Sequence, residues 1–152
     1  MRAWFPFLFL LVLARPAAAA ESYVAVIDGS QAVPPNNSAC VGYGTFVLSA
    51  DEAHLAYDIH FDHWFDNEFV SHIHEAFAPP QTGERILAEI AAGPDKVGVV
   101  DLEPGEVAAL RSSRLFVNVH TSSFMQGEVR GWIVPTVAAE AATWGRLKAI
   151  YR

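Results

Sequence analysis

The segment His54–Phe61 alternates large apolar side chains with polar or small ones along its length. Leu55, Tyr57, Ile59 and Phe61 occupy every second position. Successive side chains of a β-strand point to opposite faces, so this pattern places all four on one face. The alternation therefore predicts a strand with one buried face and one solvent-facing face.

Seven further runs are rich in β-branched and aromatic residues and are bounded by turn-forming residues. They are Tyr23–Ile27, Val41–Leu48, Phe69–His74, Ile86–Ile90, Val97–Leu102, Leu115–His120 and Glu128–Val134. About eight short strands separated by turns are typical of an antiparallel, Greek-key-like β-sandwich or barrel. We therefore predict an all-β fold class. Gly42 and Gly44 predict a bulge or a close backbone approach in their strand, and Glu103–Leu110 predicts a short helix with Pro104 near its start.

The N-terminal 20 residues are typical of a signal peptide. Arg2 supplies a positive charge, Trp4–Leu13 is almost entirely apolar, and Ala18–Ala20 forms a small-residue cleavage site. The apolar run is shorter than the roughly 20 residues that a membrane-spanning helix needs. We predict cleavage after Ala20, a secreted or periplasmic protein, and no stable membrane span after cleavage. The remaining 132 of the 152 residues suffice for one domain.

Residues 135–152 form a separate tail after the last predicted strand. Thr143 is suited to cap a short amphipathic helix, with Trp144, Leu147 and Ile150 or Tyr151 on one stripe. Such a helix could be a tag or docking segment, or it could pack on the sandwich or fray. The sequence leaves these alternatives open.

The charge balance of the exported chain disfavours nucleic acid as a partner. Removing Arg2 and Arg15 from the 10 basic residues leaves 8 against 17 acidic residues, a net charge of −9 with histidine neutral. This charge repels phosphate backbones and anionic membrane surfaces and mildly favours cations. Cys40 is the only cysteine, so no intramolecular disulfide can form, and its predicted role is that of a small buried apolar residue.

Four fragments resemble the motifs of the CHRD domain, the module named after chordin. They are Gln31–Pro35, Ser71–His74, Phe116–Thr121 and Gly127–Ile133, in the family's order and spacing. The resemblance covers roughly Glu21 to Val134. It implies a β-rich fold and places three histidines where they could converge. It implies no settled activity, and chordin's binding of growth-factor ligands does not transfer to a lone exported domain.

His72, His74 and His120 are the candidate metal ligands. His72 and His74 are two residues apart on a predicted strand, so both side chains leave the same face, and His120 ends another strand. Three neutral imidazoles, each oriented by a second acceptor, suit copper or zinc. The alternative is that these histidines are structural, with hydrogen bonds to Asn118, Thr121, Glu128 or Arg130. A further prediction pairs Arg130 with Glu128 or Glu75 in a buried ion pair.

The segment His72–Glu75 also resembles the copper-ligand strand of copper/zinc superoxide dismutase. That enzyme uses a bridging histidine and zinc ligands between its flanking copper ligands, and here no histidine lies between His74 and His120. The resemblance is therefore local and argues against a binuclear site. A single copper could still change oxidation state, because imidazoles bind both forms.

A second histidine cluster, His60–His63, matches no specific metal motif. It could extend a metal site, but its position at the end of a predicted strand favours an exposed loop. Trp64, Phe65 and Phe69 lie close by in sequence, where exposed aromatic residues would mark a binding surface and buried ones a core.

Two functional hypotheses follow from the sequence. The first is a non-enzymatic binding or structural module that recognises an unidentified extracytoplasmic protein. The second is a mononuclear copper or zinc protein that uses the three histidines and is open to redox chemistry. No catalytic residues are predicted, because the sequence shows no recognisable nucleophile and base pair.

Overall fold

The computed structural model of this protein describes residues 19–64, 67–77 and 83–136. Within these ranges the chain forms nine β-strands, one short α-helix and one turn of 3-10 helix. The strands are β1 (Glu21–Asp28), β2 (Val41–Leu48), β3 (His54–Asp62), β4 (Glu68–Ala76), β5 (Glu84–Ile90), β6 (Asp95–Asp101), β7 (Leu115–Thr121), β8 (Val129–Trp132) and β9 (Val134–Pro135). The predicted all-β fold class is confirmed, and the last predicted strand is divided into β8 and β9.

All strand pairings are antiparallel and many are non-sequential. The strand order is β5-β4-β7-β8-β1-β2-β3-β6, with β9 also paired to β1. The chain therefore crosses between distant strands in a Greek-key-like manner. β5 and β6, at the two ends of this order, approach each other, so the sheet is a nearly closed barrel or sandwich.

The alternating strand β3 behaves as its sequence predicts. Leu55 and Ile59 are fully buried, and Tyr57 and Phe61 are nearly so. Together with the inward residues of the other strands they form one continuous apolar core. Burial of this face supplies the main driving force for folding.

Gly42 lies in a regular part of β2, in unbroken register with β1 and β3. The predicted bulge is therefore wrong, and the close approach at these glycines is made by side chains and not by another backbone. A Cβ on Gly42 would lie 2.4 Å from Cε1 of Phe61, and one on Gly44 would lie 2.8 Å from Cε2 of Phe46. Both glycines make room for core aromatic rings.

The predicted helix is α1 (Pro104–Arg111), which packs Val107 and Leu110 into the core. Its first turn is stabilised by the Glu106 carboxylate, which accepts a hydrogen bond of 2.8 Å from the Glu103 backbone N–H. The helix fills the connection between β6 and β7.

Cys40 is buried, as the sequence predicts, with 1% of its surface exposed. Burial, followed by the charge of Glu128, raises the pKa of the Cys40 thiol to about 11. The thiol is therefore protonated near neutral pH, which suppresses its reactivity.

The predicted signal peptide and C-terminal helix lie almost entirely outside the described residues, which begin at 19 and end at 136. Within the part of the chain that the structure describes, no helix has the length and apolar character needed to cross a membrane.

Lys96 is a fully buried charge that points inward from β6. Its Nζ lies 2.6 Å from Oε1 of Glu68 and 2.9 Å from the Ala91 carbonyl oxygen. The same ammonium lies 4.7 Å from the ring centroid of Trp64. Burial lowers the pKa of Lys96, although the Glu68 carboxylate opposes this effect. The ion pair ties the terminal strand β6 to β4 across the open side of the sheet.

Lys96→Met should lower the free energy of unfolding by about 3–5 kcal/mol, because it leaves the buried Glu68 carboxylate unpaired. Adding Glu68→Gln should recover part of this loss, since the uncompensated charge is then gone. Urea unfolding of the single and double variants measures both effects. A double variant no more stable than Lys96→Met would contradict this account.

Candidate metal centre

The pairing of β4 with β7 brings the three candidate histidines onto one face of the sheet. His72 on β4 lies opposite Asn118 on β7. Val70, two residues before His72, lies opposite His120, so His120 is on the same face of the sheet as His72 and His74. Ile73, between the two histidines of β4, points the other way and is fully buried in the core. The imidazoles therefore lie on the outer face of the β4–β7 pair.

The three rings are close enough to share one ligand. One nitrogen from each of His72, His74 and His120 lies within 4.8 Å of the other two. The ring centroids are 5.1–5.8 Å apart. This is the only group of metal-type ligands found within residues 19–64, 67–77 and 83–136.

His74 is the most buried of the three and lacks hydrogen bonds. It is 5% exposed, and neither ring nitrogen has a hydrogen-bond partner among the described residues. Burial, then the nearby His72, His120 and Arg130, lowers the pKa of His74 to about 4. Burial, followed by the charge of His120, also lowers the pKa of His72. Both rings are therefore neutral at pH 7, the form that binds metal.

A loop after β7 fixes the tautomer of His120. Its Nδ1 lies 2.9 Å from the Met125 carbonyl oxygen, which can only accept, so Nδ1 carries the proton. The lone pair is then on Nε2, which lies 3.4 Å from Nδ2 of Asn118. Asn118 itself donates to the Gln126 carbonyl oxygen at 3.1 Å. The loop thus makes Nε2 the unprotonated nitrogen of His120, and a ligand bound there would replace the long contact from Asn118.

The surroundings of His74 include a residue that the sequence did not indicate. The ring stacks on Phe116, with centroids 5.1 Å apart and planes 11° from parallel. Its Nδ1 lies 3.5 Å from Oε1 of Glu84, which is longer than a hydrogen bond. Glu84 begins β5, and no motif marks it. Only the pairing of β4 with β5 places it beside His74.

Arg130 pairs with Glu84, through an Nη2–Oε2 distance of 3.3 Å. The predicted pairing of Arg130 with Glu128 or Glu75 is wrong. Glu75 instead pairs with Arg85 and Arg114 on its own side of the sheet.

Of the predicted hydrogen-bond partners for the histidines, Asn118 alone contacts one of them. Thr121 instead donates to Glu128 at 2.7 Å, and Glu128 also accepts from Ser38 at 2.7 Å. These contacts anchor the start of β8 without reaching the imidazoles. The structural alternative therefore explains the position of His120 better than that of His74.

The His60–His63 cluster is exposed and separate from the three-histidine group. His60 and Asp62 lie on β3, and His63 follows it. The Nδ1 of His60 lies 2.5 Å from Asp95, and this contact, with Asp62 nearby, raises the pKa of His60. The side chains of His60, Asp62 and His63 are exposed, as predicted, but only His63 lies in a loop, because His60 and Asp62 still belong to β3.

Comparison with protein families identifies the chain. The CHRD domain model matches residues 23–133, which include the three histidines and all four motifs. The chain belongs to the CHRD domain family. No curated protein and no solved structure gave a significant match. The superoxide dismutase resemblance thus remains confined to the His72–Glu75 strand.

The three imidazoles fit a single copper or zinc ion. Neutral nitrogen donors suit both metals. Tetrahedral bonds of about 2.0–2.1 Å place ligand atoms about 3.3 Å apart, so small ring rotations would close the present spacing of up to 4.8 Å. One of the two unpartnered nitrogens of His74 would gain a partner by this closure.

Gly127→Ala should disturb the loop that orients His120. Gly127 has a φ of +117°, and a Cβ there would lie 2.1 Å from Oδ1 of Asn118. The positive φ costs about 1–2 kcal/mol for a residue with a side chain, and loss of the Asn118 hydrogen bond adds about 1–3 kcal/mol. Thermal and urea unfolding measure the loss.

Gly93→Ala is the matched control for this substitution. Gly93 also has a positive φ, of +95°, but a Cβ there would meet nothing within 4 Å. It should therefore show the backbone cost without a side-chain clash. Equal destabilisation by the two substitutions would show that the Asn118 contact contributes nothing.

Proposed function

We propose that this CHRD-domain protein is an exported, non-enzymatic module that binds one copper or zinc ion through His72, His74 and His120. The observation that carries the proposal is the buried, neutral His74, whose two nitrogens lack hydrogen-bond partners within the described residues. Leaving a buried polar group unsatisfied costs about 1–3 kcal/mol. A bound metal would remove part of this cost.

The arrangement favours a metal over a purely structural role. Structural histidines in a sheet are normally held by backbone or carboxylate groups, as the Met125 carbonyl holds His120. At His74 no such bond is made, and the other two imidazoles are its nearest potential co-ligands. Neutral rings with convergent nitrogens are what a three-histidine site needs before metal enters.

The proposed centre is mononuclear and retains a free coordination position. Three protein ligands leave a fourth position of a tetrahedral ion for water or for a group from a partner. The metal could thus complete a surface that recognises another extracytoplasmic protein. Copper would also permit redox chemistry, so metal analysis must precede any assignment of activity.

Replacing His72, His74 or His120 singly by Gln should remove most of the metal-dependent stabilisation. For the wild type, metal at 100 times its dissociation constant should raise the free energy of unfolding by about 2.7 kcal/mol. Calorimetric titration and thermal unfolding, on protein purified without a histidine tag, measure both quantities for Cu(II) and Zn(II). Acidification should weaken binding, because protons compete for the imidazole lone pairs.

His54→Gln is the matched control. His54 is exposed on β3, where its Nδ1 contacts Asp101 at 2.8 Å, and it lies outside the three-histidine group. Its replacement should leave metal affinity unchanged. If the wild type takes up no stoichiometric copper or zinc, and the three substitutions destabilise the metal-free protein, the histidines are structural and the proposal fails.

Export is proposed from the charged, apolar and small-residue segments of residues 1–20. The mature protein should begin at Glu21 and be found outside the cytoplasm. Intact-mass measurement of the exported protein checks the cleavage point. A mature protein that retains Trp4–Leu13 would contradict cleavage and favour an anchored form.

A further inference from the structure

We propose that Glu84 is the carboxylate that orients His74 as a metal ligand, and that Arg130 holds Glu84 in place for this role. The inference rests on the proposed metal site. The histidines lie on β4 and β7, and Glu84, on β5, would be the residue that positions His74. The negative charge of Glu84 would also make the site prefer divalent ions.

The two carboxylate oxygens of Glu84 face different partners. Oε1 lies 3.5 Å from Nδ1 of His74, and Oε2 lies 3.3 Å from Nη2 of Arg130. A carboxylate that served only as the counter-ion of Arg130 would gain most by turning both oxygens to the guanidinium. Because Glu84 turns one oxygen to each partner, Oε1 lies beside Nδ1 of the His74 imidazole.

Arg130 is itself fixed by aromatic contacts. Its side chain is 10% exposed, and its guanidinium carbon lies 3.5 Å from the Phe116 ring centroid and 5.0 Å from that of Trp132. Phe116 also stacks on His74. The guanidinium and the imidazole therefore share one rigid ring, which fixes the space that the Glu84 carboxylate spans.

The position of Glu84 selects which nitrogen of His74 binds metal. A shift of about 0.6 Å would convert the 3.5 Å contact into a hydrogen bond from Nδ1–H to Oε1. The lone pair would then be on Nε2, available to the metal. His120 is arranged in the same way, with Nδ1 on the Met125 carbonyl oxygen. Such outer carboxylates and carbonyls fix the tautomer of metal-binding histidines and raise their basicity.

The charge of Glu84 gives a second, distinct effect. The three imidazole ligands are neutral, so this carboxylate is a negative charge held beside the metal. Its attraction is greater for a divalent than for a monovalent cation. Glu84 should therefore strengthen binding of Zn(II) more than binding of Cu(I), an effect that support of the fold alone would not produce.

Glu84→Gln in the full chain tests the inference. Zn(II) affinity should fall 10–100-fold, as is usual when an outer partner of a ligand is lost. Cu(I) affinity should fall less, so the ratio of Zn(II) to Cu(I) affinity should decrease. Calorimetry measures Zn(II) binding, and competition with a chromogenic chelator measures Cu(I) binding. The metal-free protein should be less stable than the wild type, because the largely buried Arg130 loses its charged partner, so both proteins are titrated at a temperature at which they are folded.

Glu89→Gln is the matched control. Glu89 lies on the same strand, exposed and opposite His72, and its charge partly opposes the lowering of the pKa of His72 by burial and by His120. The substitution removes the same charge at the same sheet edge. Equal losses of Zn(II) affinity in the two variants would overturn the proposal, because they would show only a general effect of charge.

The outcomes separate this inference from the proposed function. A wild type that binds neither metal overturns both. A wild type that binds Zn(II) with a Glu84→Gln variant that binds equally well overturns only the role of Glu84. If Glu84→Gln does not fold, Glu84→Asp replaces it. The shorter side chain cannot reach both His74 and Arg130, so retained Zn(II) affinity would again overturn the inference.

Discussion

The register between β4 and β7 is the constraint on which the core and the candidate site both depend. Because strand side chains alternate, one face of this pair buries Ile73 and Val117, while the other carries His72, His74 and His120. A slip of one residue would turn the imidazoles into the core and expose the apolar residues. The hydrophobic effect that folds the sheet therefore also fixes the geometry of the histidines.

Two kinds of buried polar group distinguish structural support from a candidate ligand site. Lys96 is fully buried, but its ammonium is matched by Glu68, the Ala91 carbonyl and the Trp64 ring. His74 is almost as buried, but its two nitrogens lack hydrogen-bond partners in the described part of the chain. The charge of Lys96 is therefore compensated by the protein itself, without a bound ligand. His74 gains most from a ligand, which is why the metal proposal depends on it.

The convergence of the three histidines in the candidate site was predicted from the sequence, because most of the signals that indicate it are local. His72 and His74 share a face through their spacing, and the family resemblance added His120 on a second strand. The same reasoning gave Arg130 the wrong partner and missed Glu84. The spacing of two residues determines a strand face, but it carries no information about which side chain from another strand lies beside it.

The sequence by itself determined the strands, their buried faces and the helix at Pro104, since each depends on periodicity or on a local backbone preference. It also specified the histidines that could act together. Only the tertiary structure decided that Glu68 neutralises Lys96 and that Glu84 lies between His74 and Arg130. These partners are distant in sequence, and their contacts exist only once non-sequential strands pair. Charge complementarity allows many such pairs, and the sheet topology selects among them.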